Sequence, residues 1–83
     1  MSTKKEFDQA LKNVKKLSEL SNDQLLRLYG LYKQATEGDV SGPKPGMLDL
    51  KGKAKHAAWS KEKGKSQEKA MAEYVAFVKK LGA

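Results

Sequence analysis

Phe7, Ala10, Leu11, Val14 and Leu17 stand three and four residues apart, and nowhere in the chain do apolar residues alternate at a spacing of two. Spacings of three and four put side chains on one face of a helix, whereas a half-buried strand needs a period of two. Thr3 and Glu6 have the spacing of a capping box at the start of this stripe, so the pattern predicts a helix from about Lys4 to Leu17. Ser21 and Gln24 repeat that spacing ahead of a second stripe, Leu25, Leu28, Tyr32 and Ala35. Beside it on the same helix lies another set, Leu26, Tyr29 and Lys33. A helix with two usable faces must touch more than one neighbour. Gly38 is a ready stop after Glu37.

The next stretch, GDVSGPKPGMLD, holds three glycines and both prolines of the chain. Proline removes a donor and glycine supplies unusual backbone angles, so this is a loop. A loop of about a dozen residues is long for a compact domain and is often functional. From about Leu50, after Asp49 as its cap, KGKAKHAAWSKEK reads as a third helix with Ala54, Ala57 and Ala58 inward, ending at Gly64. Ser66 caps a fourth, whose stripe is Ala70, Met71, Tyr74, Val75, Val78 and Leu81, with Gly82 at its close. The expected fold is all-α: four helices in a single domain over residues 1–83, with one modest core.

Several function classes fall away on content. The chain has no cysteine, which removes disulfides and cysteine-ligated metals. Its one histidine, His56, has neighbouring lysines that oppose a further cation, and no catalytic motif surrounds it. A non-enzymatic protein without metal or cofactor is expected. GKS at Gly64 to Ser66 is not a phosphate loop, because the position five before Gly64 is Trp59 rather than glycine. No run approaches the roughly 20 apolar residues of a membrane span. The opening MSTKKEFDQA has no apolar signal region, and KKLGA is no usual C-terminal address, so the expected compartment is the cytoplasm.

The net charge is +7, and Arg27 is the sole arginine. Such a surface attracts anions. Base reading and bidentate phosphate recognition lean on arginine, whereas lysine acts as a point charge, so the balance favours an anion binder over a sequence-specific DNA reader. Lys51 and Lys55 stand one turn apart near a helix N-terminus, which itself attracts anions, although a solvated charged face has the same appearance. Tyr29, Tyr32 and Tyr74 at helical spacing fit half-buried core with a polar tip as well as they fit ligand contacts.

Taken together these segments resemble a known family. YGLYKQATEGDVSGPKPGMLDLKGKAKHAAW, followed by AMAEY, is similar to the signature region of the acyl-CoA-binding proteins: a YxxYKQAT element, a Gly/Pro loop, a KPGM turn with its LD, then KGKAK and AW. The first helix fits through EFDQA and its valine, so the resemblance spans essentially the whole chain. It implies a four-helix bundle in up-down-down-up order that binds long-chain acyl-CoA thioesters without turning them over, as an intracellular carrier and pool former; a monomer is expected because no apolar stripe is left over.

The family's ligand residues carry over to Tyr29, Tyr32 and Lys33, with Gly30 and Leu31 lining the same stretch, to Lys51 and Lys55, to Tyr74, and to Lys15 in the first helix. Lys33 and Lys55 would meet phosphates, Tyr29 would add a phenolic hydrogen bond, and Tyr32 and Tyr74 would wall the groove. His56 stands where many members carry tryptophan and would offer less surface to adenine; Leu26 and Met47 would be further tail contacts. Burial of roughly ten methylenes at about 0.8 kcal/mol each is worth on the order of 8 kcal/mol, from which binding costs take several back. The alternatives are a basic helical nucleic-acid binder or a membrane-surface protein. The long Gly/Pro loop is unlike the short turn of a helix-turn-helix, so nucleic acid is not expected, and the lack of a spanning apolar run argues against stable membrane insertion.

Overall fold

The computed structural model describes residues 3–42 and 45–82. Four α-helices account for most of them: α1 (Thr3–Asn13), α2 (Asn22–Glu37), α3 (Leu50–Ser60) and α4 (Gln67–Lys80). No described residue lies in a strand. The residue that would cap α1 lies outside the described part, as does Pro43 of the loop; Thr3 is itself the first helical residue.

The other caps form as their spacing predicts. The Gln24 amide donates to Ser21 Oγ at 3.1 Å, and the Ser21 amide donates to Gln24 Oε1 at 2.8 Å, which completes a capping box. Asp49 Oδ1 accepts from the Gly52 amide at 2.9 Å, and Ser66 Oγ accepts from the Lys69 amide at 3.0 Å. Gly38 ends α2 at φ 82°, with its amide donating to the Gln34 carbonyl at 3.1 Å.

Two boundaries differ from expectation. α1 ends at Asn13 rather than Leu17, and Val14–Lys16 form a 3-10 turn. Three residues per turn keeps positions three apart on one side, so Val14 still packs against the core although the α-helix has stopped, and Leu17, half-buried just past the turn, lines a cleft beside it. α3 ends at Ser60 rather than Gly64, and the chain runs on through turns closed from Glu62 to Trp59 and from Lys63 to Ser60. Its inner face is also narrower than expected: Ala58 is buried and Ala54 half-buried, but Ala57 is exposed.

Contacts between the helices fix their directions. Tyr29, Gly30 and Lys33 of α2 meet Lys55, Ala58 and Trp59 of α3 in rising order, so these two helices run parallel. Ala35 accepts from Gln67, while Arg27 reaches Glu73 and the Phe77 ring, so α4 runs antiparallel to α2. Phe7 meets Tyr74, and Leu17 approaches Gly82, so α1 runs parallel to α4. The order is therefore up-down-down-up. Parallel neighbours cannot be joined by a tight turn, which is why the long segment after Gly38 must return along the bundle before α3 begins.

The core, Phe7, Ala10, Leu28, Leu31, Ala35, Ala70, Tyr74 and Val78, belongs to α1, α2 and α4. α3 is attached to the outside of α2, where Gly30 permits a close approach. A Cβ built on Gly30 would lie 2.4 Å from the Ala58 carbonyl oxygen. Trp59, also buried, donates from Nε1 to the Gly38 carbonyl at 2.8 Å and so ties the end of α3 to the end of α2.

A polar cluster joins the α3–α4 turn to α2. Lys65 bonds both Glu62 and Glu73, and Arg27 lies 3.7 and 3.5 Å from the same two carboxylates. Gln34, fully buried, donates to Asp39 Oδ1 and to the Lys65 carbonyl, and Asp39 also accepts from the Gly64 amide at 2.9 Å. The Lys65 bond holds the Glu73 carboxyl below its usual range, and the Gly64 amide followed by Gln34 does the same for Asp39. Depressed carboxylate values contribute stability above the unfolded pKa of about 4, and that stability is lost as pH falls through the folded values. Thermal melts should therefore show Tm falling below about pH 4, with a smaller acid loss in Asp39→Asn. An Asp39→Asn profile that superimposes on wild type would remove Asp39 from this account.

Candidate functional site

α2 lies between α3 on one side and α1 and α4 on the other, and it presents tyrosines along one edge. Tyr29 and Tyr32 of α2 and Tyr74 of α4 line one cleft of about 350 Å³, with Val14, Leu17, Leu20 and Leu25 supplying apolar wall. Phe7 stands behind it: its ring stacks on Tyr32 at 6.3 Å and meets Tyr74 edge-on at 5.1 Å. Tyr74 is buried, and burial, then the neighbouring Tyr32, pushes its hydroxyl pKa up, which keeps it a neutral donor. Tyr32 is 40% exposed and Tyr29 half-buried, so their rings are open to a ligand.

Two lysines join this aromatic edge. Lys55 comes across from α3, with Nζ 5.5 Å from the centre of the Tyr29 ring. Lys33 places Nζ 4.8 Å from the Trp59 ring and 2.5 Å from Glu37 Oε2. The hydrogen bond to Glu37 raises the Lys33 pKa against the opposing effect of burial, so its ammonium stays charged. A cation over an aromatic face is held in place without being neutralised; that is the state of Lys55, whereas Lys33 is also paired with the Glu37 carboxylate. Such an edge suits an anionic group attached to a flat or apolar body.

A second groove, about 800 Å³, runs between α2 and α3. Leu26, Ala54, Ala57, Ala58 and Phe77 give it apolar surface, with Arg27, Lys61 and Glu62 at its polar side. Leu25 of the first cleft and Leu26 of the second are chain neighbours.

The remaining expected residues fall in several places. Lys15 is exposed on the 3-10 turn, next to the cleft-lining Val14. Lys51 is exposed in the first turn of α3, four residues before Lys55. Leu26 lines the second groove rather than the tyrosine cleft. Leu31 is 0% exposed and belongs to the core, so it has no surface to offer a ligand. Gly30 is likewise buried, and its role is the approach of α3 to α2. His56 faces a separate depression beside Pro45 and Lys53. Met47 is 83% exposed on the loop and lines none of these clefts.

Sequence reasoning passed over Trp59 as the platform for Lys33 and Glu37 as its partner. Glu37 was readable, since it follows Lys33 by one helical turn. Nothing local marks Trp59, which reaches Lys33 only through the helix packing. No group of three His, Cys, Asp or Glu among the described residues is placed to hold a metal ion.

The family profile for acyl CoA binding protein matches residues 4–78. The chain belongs to the acyl-CoA-binding protein family. It is 53% identical over 79 residues to the acyl-CoA-binding protein homolog of Drosophila melanogaster, covering 94% of this chain and 92% of that one. It is 48% identical over 82 residues to the acyl-CoA-binding protein of Brassica napus, covering 98% and 89%. The crystal structure of acyl-CoA-binding protein 2 of Oryza sativa superimposes with a TM-score of 0.94 at 44% identity, over 96% of this chain and 90% of that one. The family's four-helix architecture is thus the architecture of this chain, strand-free over its described residues.

Proposed function

We propose that the protein binds long-chain acyl-CoA thioesters at the tyrosine edge and carries them in the cytoplasm without catalysis. The observation that supports this most strongly is the placing of two cations from different helices over aromatic rings, Lys55 over Tyr29 and Lys33 over Trp59, with Tyr29 itself lining an apolar cleft. A CoA thioester presents the matching sequence of parts: phosphates, a flat base and a long apolar chain. Lys33 and Lys55 neutralise phosphate, with Lys51 and Lys15 adding weaker attraction from the surface. Tyr29 and Tyr32 offer ring faces and hydroxyls, and Tyr74 closes the floor. The tail lies along the apolar surface of Leu25 and Leu26.

Membership in a family whose named relatives are acyl-CoA-binding proteins supports the same reading. No helix among the described residues is long and apolar enough to cross a membrane. The carrier role follows from binding that shields the chain while leaving the thioester intact.

Calorimetric titration tests this. Palmitoyl-CoA should bind one to one, more tightly than either CoA or palmitate, and remain intact on incubation. Equal affinity for palmitoyl-CoA and free CoA would refute the reading. Lys55→Ala should lose about tenfold in affinity, the cost of one charge-assisted contact, while the melting temperature stays near wild type.

Glu37 should act in the opposite sense. Its carboxylate occupies Lys33 and adds negative charge where phosphate must arrive. Glu37→Gln should therefore tighten binding by a few-fold, about the worth of an exposed ion pair. Unchanged or weaker binding in the same titration would show that Lys33 does not have to exchange partners.

A further inference from the structure

At the end of the long loop three large apolar side chains stand in solvent together: Met47 is 83% exposed, Leu48 97% and Leu50 76%. None of them lines the tyrosine cleft or the α2–α3 groove. They project from the turn that enters α3, closed by the Asp49 amide on the Gly46 carbonyl. A chain that buries its other leucines at least halfway, Leu25 apart, has no folding reason to leave two of them beside a methionine on one turn. Contiguous exposed apolar surface of this kind marks an interaction site.

What surrounds the tip selects its partner. Lys51, Lys53 and Lys55 follow within five residues of Leu50 and are all exposed. The only acidic residue among them, Asp49, is committed to the α3 cap through Gly52. Neither Lys51 nor Lys53 forms an ion pair among the described residues. The tip is therefore apolar at its point and cationic behind, on a chain of net charge +7. A second copy of the chain would bring like charge against like charge. A nucleic acid would use the lysines and leave the leucines in water. An anionic lipid bilayer satisfies both parts, with the apolar side chains entering the interface and the lysines meeting headgroups.

We propose that the Met47–Leu50 tip docks the protein reversibly on anionic membrane surfaces. This deepens the carrier reading and rests on it for its purpose: the membrane is where a long-chain thioester partitions and where a carrier must collect or release it. Three side chains and a few lysines give weak, reversible attachment rather than anchoring, which suits a carrier that has to leave again.

Co-sedimentation with vesicles, without any CoA ester, tests the proposal independently of thioester binding. Wild type should pellet with phosphatidylserine–phosphatidylcholine vesicles and not with phosphatidylcholine alone. Leu48→Ser/Leu50→Ser should lower the partition coefficient on the mixed vesicles by about tenfold or more, and Lys53→Gln by about fivefold. Both variants should bind palmitoyl-CoA in solution as wild type does and keep the wild-type helical circular dichroism.

Failure of wild type to pellet with the anionic vesicles would overturn the proposal, whatever the thioester titration shows. Equal pelleting of the double variant would reduce the effect to charge and overturn the role of the tip. If the double variant instead loses palmitoyl-CoA binding in vesicle-free solution, the tip belongs to the ligand site and docking is refuted. Concentration-dependent dimerisation of wild type, lost in the double variant during sedimentation, would name a second copy as the occupant and refute it equally.

Discussion

Trp59→Ala should cost about 3–5 kcal/mol of stability, the usual loss for truncating a buried large aromatic side chain. The ring is buried against α2, and its Nε1 supplies the bond to the Gly38 carbonyl that holds the end of α3. Truncation removes packing, opens a cavity and leaves that carbonyl without its donor. It also takes away the surface over which Lys33 sits. Urea denaturation should show the loss in the midpoint, and titration at low temperature should show weaker palmitoyl-CoA binding by the fraction that remains folded. Trp59→Phe separates the contributions, since it keeps a ring and loses the indole donor and part of the volume. A loss below about 1 kcal/mol for the alanine variant would mean that α3 is held by something other than this side chain.

Gly30→Ala carries the second large effect, and its sign opposes helix propensity. Alanine in place of glycine inside a helix ordinarily adds about 1 kcal/mol of stability. Here the new methyl group would lie 2.4 Å from the Ala58 carbonyl oxygen and 2.8 Å from its carbon, both backbone atoms that cannot rotate away. The helices must separate, and overpacking of this kind costs about 1–3 kcal/mol. Because Lys55 reaches Tyr29 across the same contact, the variant should lose thioester affinity as well as stability. Gly30→Ala with raised stability would show that α3 can shift freely, and Lys55 would then not be positioned by packing.

The parts legible in the sequence were those encoded over a turn or two. Ser21 with Gln24, Asp49, and Ser66 announce helix starts because a cap is a contact between residues three apart. The apolar stripes of α1 and α4 name Phe7, Ala10, Tyr74 and Val78 as core. The double-faced pattern of α2 says correctly that it has neighbours on two sides. The tyrosines and lysines of the candidate site were legible only through family resemblance, since spacing alone fits a solvated face equally well.

The rest depended on which helix lies against which. Nothing local distinguishes Gly30, which opens the α2–α3 contact, from a merely tolerated helical glycine. Ala57 reads as inward until Ala58 is known to be the point of approach. Leu31 reads as part of a binding element, but α2 turns it fully into the core. The stripe of α1 continues unbroken through Leu17, and the change to a tighter turn after Asn13 leaves the apolar pattern intact. Gln34 is a polar residue outside the apolar stripes of α2, and its burial is explained by its bonds to Asp39 and to the Lys65 carbonyl of the α3–α4 turn.

The parallel pairing of α1 with α4 also bears on how the chain reaches its fold. Phe7 and Tyr74 touch, yet almost the whole sequence lies between them. Helical proteins fold fast when their contacts are local, because each loop closed costs little chain entropy. In this protein the two ends must find one another before the core is complete, because α1 packs mainly on α4 and meets the helix that follows it more sparingly, through contacts such as Phe7 on Tyr32. Its transition state must therefore gather the termini, and folding is expected to run slower than in a bundle of equal length whose helices pack in chain order.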